Sequence, residues 1–435
     1  MTRADAASTL RGCYEAAIAA ADPARVVRDG LVDREVVLEV VRDRPHWIIA
    51  VGKAAPAMAG AAVAHLEELG REIVGGIVVG AVLAPTPHES IESLVGDHPV
   101  PGVRSARAAE RLGALTDRIG REDVVIVLIS GGTSSLIGAP IAGVRPGDLA
   151  QLHGLLLGAG VPISRVNAVR KRFSRWGAGR LAEALHGAHV VPVLLADVPN
   201  EDPAMIGSGP VTPDALEAHH VERILREAGI AVRVPLSIAS TLGMMRSGQA
   251  PETPKPEHAA FARVEEPFVV GNAAALEAIA SEATEAGYGP VLLSHTPLQG
   301  DATAAGRVVG HALARAPKGA LLAWGGETTV RLPADHGLGG RCQQLALAAA
   351  EVLDELGVRD GWVLAAGTDG QDGPARAAGA VISSETWKES TGAGGDPRRS
   401  LRRCDAFAAL DAAGAIIPAR ATGTNVMDVV VAVRV

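Results

Sequence analysis

The residues best suited to chemistry lie in short glycine-rich stretches. Trp324-Gly325-Gly326-Glu327-Thr328-Thr329-Val330 reads as the end of one strand, a Gly-Gly turn and the start of another. Gly339-Gly340-Arg341 reads as a loop emptying into an apolar helix. Amides freed by glycine, a helix N-terminus and a guanidinium together make a site for a bound anion. Lys53 offers a second cation. It follows Gly52 and an apolar strand pattern, His46–Val51, and precedes an Ala-rich helix pattern. An ammonium at such a junction calls for an anionic partner, and phosphate is the natural one. The spacing is not that of a P-loop, since Trp47 stands where the first glycine belongs and Ala54 where Ser or Thr belongs.

Ser130-Gly131-Gly132-Thr133-Ser134-Ser135 supplies glycines and hydroxyls that could cradle an anion. A serine-hydrolase reading fails for want of G-x-S-x-G. Asp197, Glu201 and Asp202 lie in a Pro-punctuated loop, and Asp369 and Asp372 in GTDGQDG. Carboxylates so placed could hold Mg²⁺ or remove a hydroxyl proton, although no calcium-loop spacing is present. Arg170 and Arg180, within NAVRKRFSRWGAGR, could grip a carboxylate or phosphate through paired contacts. Among the histidines, His98 alone stands in a loop before a proline where it could meet a ligand.

The elements that position these residues follow from periodicity. Continuous apolar runs at 46–51, 73–79, 124–129 and 190–196 alternate with helical patterns, the signature of a parallel sheet covered on both faces. In such sheets ligands bind at the carboxyl ends of the strands. Lys53, the Ser130–Ser135 stretch and Asp197 all fall there. Residues 5–30 read as one helix. The stretch 248–266 is rich in Pro and charge, lacks periodicity and reads as a linker. Alternation resumes beyond it, with strands at 268–270, 291–293, 362–366 and 429–433. The division expected is an amino-terminal α/β domain over 1–247, the linker, and a carboxyl-terminal α/β domain over 267–435.

Composition narrows the class. The 435 residues are 48% hydrophobic and 21% charged, which excludes disorder and suits an enzyme with sizeable cores. Aromatic residues make up 3%, so the cores must be built from Ala, Val, Leu and Ile. A net charge of −8 provides no field for nucleic acid. Cys13, Cys342 and Cys404 are too scattered for a zinc site or a disulfide framework. The stretch MTRADAASTLRG lacks a signal-peptide core, and no apolar run reaches membrane-spanning length, so the cytoplasm is expected. Oligomeric state is left open, a homo-oligomer included.

Taken in order, the motifs resemble the class II glycerate 2-kinase family, whose carboxyl-terminal half is the MOFRL domain. The resemblance runs through VGKAAPAM, DHPVPG, SGGTSSL, NAVRKRFS, DVPNEDPAMIGSGPVTPD, GNAAAL, GGETTV, GGRCQQLALA, GTDGQDGPARAAGA and TGTNVMD, nearly the whole chain. It implies two α/β domains, the first with a largely parallel Rossmann-like sheet and the second with a mixed one, and an active site in the cleft between them. It implies ATP, Mg²⁺ carried by the nucleotide without a dedicated protein metal site, and transfer to the 2-hydroxyl of D-glycerate. By the same resemblance Lys53, Asp197, Arg341 and Asp369 are catalytic. Ser130, Gly131, Gly132, Ser134, Ser135, Asn167, Arg170, Glu327, Thr328 and Asn425 contact nucleotide or acceptor. Departures from the family pattern at Thr133, Arg172, Gly177, Cys342, Gln344 and Met427 bear on the acceptor, leaving a related hydroxy acid as the alternative. A hydroxypyruvate reductase would need a G-x-G-x-x-G after a strand, and none is present. A non-catalytic binding relative is the remaining rival.

Overall fold

The computed structural model describes residues 3–435. The first two residues of the amino-terminal stretch lie outside it. The chain forms two compact units. One contains Pro23–Ala196 and Glu201–Val269; the other contains the residues up to Asp22, Asp197–Asn200 and Val270–Val435. This differs from a division at 247 and 267 in two respects.

First, the helix expected over 5–30 is two. Arg3–Ala20 ends before the Asp22-Pro23 pair, and Pro23–Val32 begins on its proline, which has no amide to contribute within a helix. The earlier helix packs in the carboxyl-terminal unit. The Tyr14 hydroxyl donates to the Gly367 carbonyl at 2.6 Å, and the Thr424 hydroxyl to the Ala21 carbonyl at 2.6 Å.

Second, residues 248–266 are no free linker. Arg172, fully buried, pairs with Asp214 and with Glu252, and its Nη1 lies 3.4 Å from the Thr253 hydroxyl. Lys171 reaches Asp214 at 3.2 Å, and Lys255 donates to the Thr253 hydroxyl and the Asp214 carbonyl. Pro and charge in this stretch mark a strap held by a buried ion cluster. That cluster accounts for the departure at Arg172, which serves architecture.

The amino-terminal unit is built on a six-stranded sheet. Its strands are β1 (His46–Val51), β2 (Ile73–Gly80), β3 (Ile91–Val95), β4 (Val124–Ile129), β5 (His189–Leu195) and β6 (Phe268–Val270), in the order β3-β2-β1-β4-β5-β6. The pairs β1–β2, β1–β4, β2–β3 and β4–β5 are all parallel. β1 and β4 are buried along their whole length, as unbroken apolar runs demand. Strand order reverses between β1 and β4, which opens a crevice at their carboxyl ends.

The carboxyl-terminal unit carries a mixed sheet. Its strands are β7 (Val291–Leu293), β8 (Leu298–Asp301), β9 (Leu321–Thr329), β10 (Gly361–Gly367), β11 (Ala377–Ser383), β12 (Ile416–Pro418) and β13 (Asp428–Arg434). They run in the order β12-β11-β10-β13-β9-β7, with β8 also on β9. β10, β11, β12 and β13 pair antiparallel, as do β13 and β9, while β7 and β8 run parallel to β9. The helix Arg341–Glu355 is buried over most of its length and packs on Ala302–Arg315. The contact is close enough that a Cβ on Gly306 would lie 2.1 Å from the Leu345 carbonyl. Small residues thus allow a tight core with few aromatics. Among the described residues no helix is long and apolar enough to cross a membrane.

Candidate active site

At the crevice between β1 and β4, two loops are locked together. The Lys53 amide donates to the Gly131 carbonyl at 2.9 Å, and the Ala54 amide to the Ser130 hydroxyl at 3.1 Å. Gly52 has φ +139, and a Cβ there would fall 2.0 Å from Ser130 Oγ and 2.7 Å from its carbonyl oxygen. Only glycine fits. Thr133, fully buried, donates to the carbonyls of Val51 and Ser130, both at 2.8 Å. Ser134 shares a hydrogen bond with Ser208, and Ser135 donates to the Pro99 carbonyl.

The hydroxyls of this loop therefore hold the protein together, contrary to their expected use as ligands. What the loop offers instead is backbone. Among the described residues the amides of Gly131, Gly132, Thr133 and Ser134 have no protein acceptor, whereas those of Ser130, Ser135 and Leu136 do. Successive free amides around a left-handed Gly132 (φ +90) form an anion-binding concavity. The exposed Lys53 lies beside it, its stem 3.4 Å from a Cβ built on Gly132, with the His98 ring 3.1 Å from the same point. Burial, and then the charge of Lys53, hold His98 below the ordinary imidazole value. His98 is thus a neutral neighbour.

Two further cations of this unit lack a carboxylate partner among the described residues. Arg170, half-buried on the helix Ile163–Arg172 with Asn167, is lowered by burial. Arg180 donates to the Ser174 carbonyl, and burial, reinforced by Arg172, brings it down to about 10. An incoming anion would relieve both. Gly177 packs against Ser208, where a Cβ would lie 3.1 Å from its carbonyl, so the departure there is one of packing.

The glycine-rich stretches of the carboxyl-terminal unit are built otherwise than the sequence suggests. Gly325 and Gly326 form no turn but lie inside β9. A Cβ on Gly325 would fall 1.3 Å from Asn272 Oδ1, and one on Gly326, at φ +141, would fall 2.2 Å from the Leu298 carbonyl. These glycines admit a close neighbour. Asn272 uses that space to donate to the carbonyls of Val426 and Asp428, a role that the motif GNAAAL did not reveal.

Arg341 and its helix N-terminus are already supplied with anions. Arg341 donates through Nε and Nη2 to the Asp428 carboxylate at 2.6 and 2.9 Å, and its Nη1 lies 2.8 Å from Glu327. Burial lowers the guanidinium's proton affinity, but the hydrogen bonds and charge of Asp428, with Glu327, more than restore it. Burial pushes Asp428 up to about 6, partly offset by Arg341. The Asp372 carboxylate accepts the amides of Cys342 and Gln343 at 3.0 and 2.8 Å. Asp372 is thus a helix cap, and the first-turn amides expected to receive a ligand are largely occupied. The amides of Gly339, Gly340 and Arg341 have no protein acceptor among the described residues.

The remaining predicted positions divide between turn and surface. Asp369 is half-buried and accepts the Gln371 amide; Asn425 accepts the Met427 amide. Thr328 is buried, and Glu327 is 44% exposed. Asp197 is half-buried at the end of β5. Cys342 is buried in the core, and Gln344 bonds the Leu401 carbonyl, so neither of these departures faces a ligand. Met427, at φ +70, carries the carbonyl that receives the Thr368 amide. Among the described residues no three His, Cys, Asp or Glu gather as a metal site.

The chain is similar to known proteins over most of its length. Residues 9–243 match a domain of unknown function, DUF4147, and residues 320–428 match the MOFRL family. A D-glycerate 2-kinase from Thermotoga maritima is 34% identical over 88% of this chain and 89% of its own. A protein from Agrobacterium vitis with a provisional name as hydroxypyruvate reductase is 36% identical over 98% of this chain and 93% of its own. The crystal structure of a glycerate kinase from Thermotoga maritima superposes with a TM-score of 0.85, at 32% identity, covering 99% of both chains.

Proposed function

Because the chain belongs to the glycerate kinase family formed from DUF4147 and MOFRL domains, we propose how its residues carry out transfer of the ATP γ-phosphoryl to the 2-hydroxyl of D-glycerate. The observation that carries the assignment is the row of free amides at Gly131–Ser134 beside Lys53.

Phosphoryl transfer depends on positioning and charge neutralisation more than on covalent help. Lys53 and the adjacent amides hold phosphate oxygens. Arg341, oriented by Asp428, neutralises charge that develops on the transferred group. Arg170 and Arg180 serve the acceptor carboxylate, which would satisfy their unpaired guanidinium groups. Asp197 or Asp369 accepts the hydroxyl proton. Asp369 suits this task because its carboxylate has a second oxygen free of the Gln371 amide. Mg²⁺, carried by the nucleotide, would supply positive charge against the transferred group. Asp197 and Asp369, both half-buried, are the residues that would hold it. Such a donor and acceptor point to the cytoplasm.

The test is ADP release from ATP–Mg²⁺ over D-glycerate and four-carbon hydroxy acids, with phosphorus NMR of the product. 2-Phosphoglycerate as the main product supports the reading. Release only with another hydroxy acid would move the acceptor, and NADH oxidation by hydroxypyruvate without ADP release would overturn it.

A further inference from the structure

Arg341 presents two edges in unlike states. Its Nε and Nη2 make two aligned hydrogen bonds to Asp428, whose side chain is 8% exposed. Its Nη1 meets Glu327 at 2.8 Å through charge contact alone, on the exposed side. The first pairing is rigid and sheltered. The second is solvated, and an exposed pair of this kind is held weakly. Any phosphoryl group that reaches Arg341 must therefore take Nη1, because displacing Asp428 would strand a buried carboxylate.

We infer that Glu327 is a place-holder on Arg341: it occupies the guanidinium edge meant for phosphate and is displaced only by an anion more strongly charged than itself. The inference rests on the kinase reading for the identity of that anion. Glu327 follows Gly326 in β9, where the glycine's close approach to Leu298 fixes the backbone, so the carboxylate is presented at a defined place. In the unliganded protein it keeps a half-buried guanidinium paired.

In the presence of substrates Glu327 acts as a filter. A phosphoryl or polyphosphate group carries about two charges near neutral pH and outcompetes one carboxylate. The carboxylate of a hydroxy acid, equal in charge to Glu327, gains nothing by exchange. It is thereby directed away from Arg341 to other cations. Glu327 is in this view a specificity-determining residue, with a role opposite to that of a phosphate ligand.

The test is titration calorimetry of the full chain with tripolyphosphate, for wild type, Glu327→Gln and Glu327→Gln/Arg341→Lys, beside steady-state kinetics. The glutamine variant is expected to bind tripolyphosphate roughly fivefold tighter, about the fold-change for loss of one exposed charge pair. The gain should vanish when Arg341→Lys is added. D-Glycerate should begin to inhibit Glu327→Gln competitively against ATP. Unchanged or weaker tripolyphosphate binding in Glu327→Gln would overturn the place-holder role even if the wild type phosphorylates glycerate. A wild type that binds tripolyphosphate as expected but phosphorylates no hydroxy acid would instead remove the kinase reading and leave the competition at Arg341 intact. Circular dichroism of each variant identifies any that fails to fold, and Glu327→Ala then replaces the glutamine.

Discussion

The Lys53 amide and the Gly131 carbonyl are joined at 2.9 Å, so the loop bearing the ammonium and the loop of free amides move as one body. Gly52 is the residue that permits this contact. Gly52→Ala would drive a methyl into Ser130 and strain a backbone at φ +139. Loss of roughly 2 kcal/mol or more of stability is expected, together with a rise in the KM for ATP. Urea denaturation and ATP kinetics check both effects.

Lys53→Ala and Arg341→Ala should part company in stability. Each is expected to lower kcat/KM by on the order of 10²-fold or more. Lys53 is exposed, so its removal leaves the melting temperature nearly unchanged. Arg341→Ala abandons a buried Asp428 and should lower it by several degrees, as about 3 kcal/mol is typical of breaking a buried pair. Equal melting temperatures in both variants would contradict the Arg341–Asp428 geometry.

Asp428 gives a pH signature. Facing Arg341, Asp372 and Glu327, its carboxyl is pushed from the ordinary 3.8 to about 6, chiefly by burial. Between those values the folded state binds more protons than the unfolded one. This group's contribution to stability accordingly falls as pH rises across that window and is constant above it. Asp428→Asn removes the slope. Unfolding free energies at pH 4 and pH 7 should change differently in wild type and variant, by on the order of 2 kcal/mol.

Arg172→Met tests the strap. Its loss leaves the buried Asp214 with Lys171 as its one ion-pair partner among the described residues, beside the Thr253 hydroxyl and the Leu216 amide, and loosens Glu252 and Thr253. The expected cost is about 3 kcal/mol, with faster proteolysis in 248–266. Catalysis by the folded fraction should persist, since Arg172 contacts no candidate ligand group. A wild-type cleavage rate in that segment would sink the assignment.

Much of the fold was legible because buried parallel strands are apolar throughout. β1 and β4, buried throughout, fall at the expected residues with their strand-end loops, and the short, half-exposed β6 and β7 do so as apolar triplets. β3, β8, β11 and β12 escaped notice. They are short, half-exposed or rich in Ala and Gly, and periodicity carries no signal there. The Gly325–Gly326 pair was misread because glycine serves a turn and a close approach alike, and only the neighbour Asn272 distinguishes them. The helix start at Arg341 was correctly located, but its occupancy was not legible. That depends on Asp372 and Asp428, remote in sequence and brought close only by the antiparallel pairing of β10 with β13 and the turn after β10. Equally hidden was the division of labour at Ser130–Ser135, where the hydroxyls are structural and, among the described residues, the amides of Gly131–Ser134 have no protein acceptor.

The helix Arg3–Ala20 is synthesised long before the residues it packs against. Tyr14 needs the Gly367 carbonyl and Ala21 needs Thr424, so the ribosome releases this helix long before its partners exist. Pro23–Ala196 and Glu201–Val269 form a unit of their own, but this helix must wait through some 400 residues of translation, on the order of tens of seconds at ordinary elongation rates. A nascent chain of this protein therefore carries this helix without its native partners until Thr424 has been made.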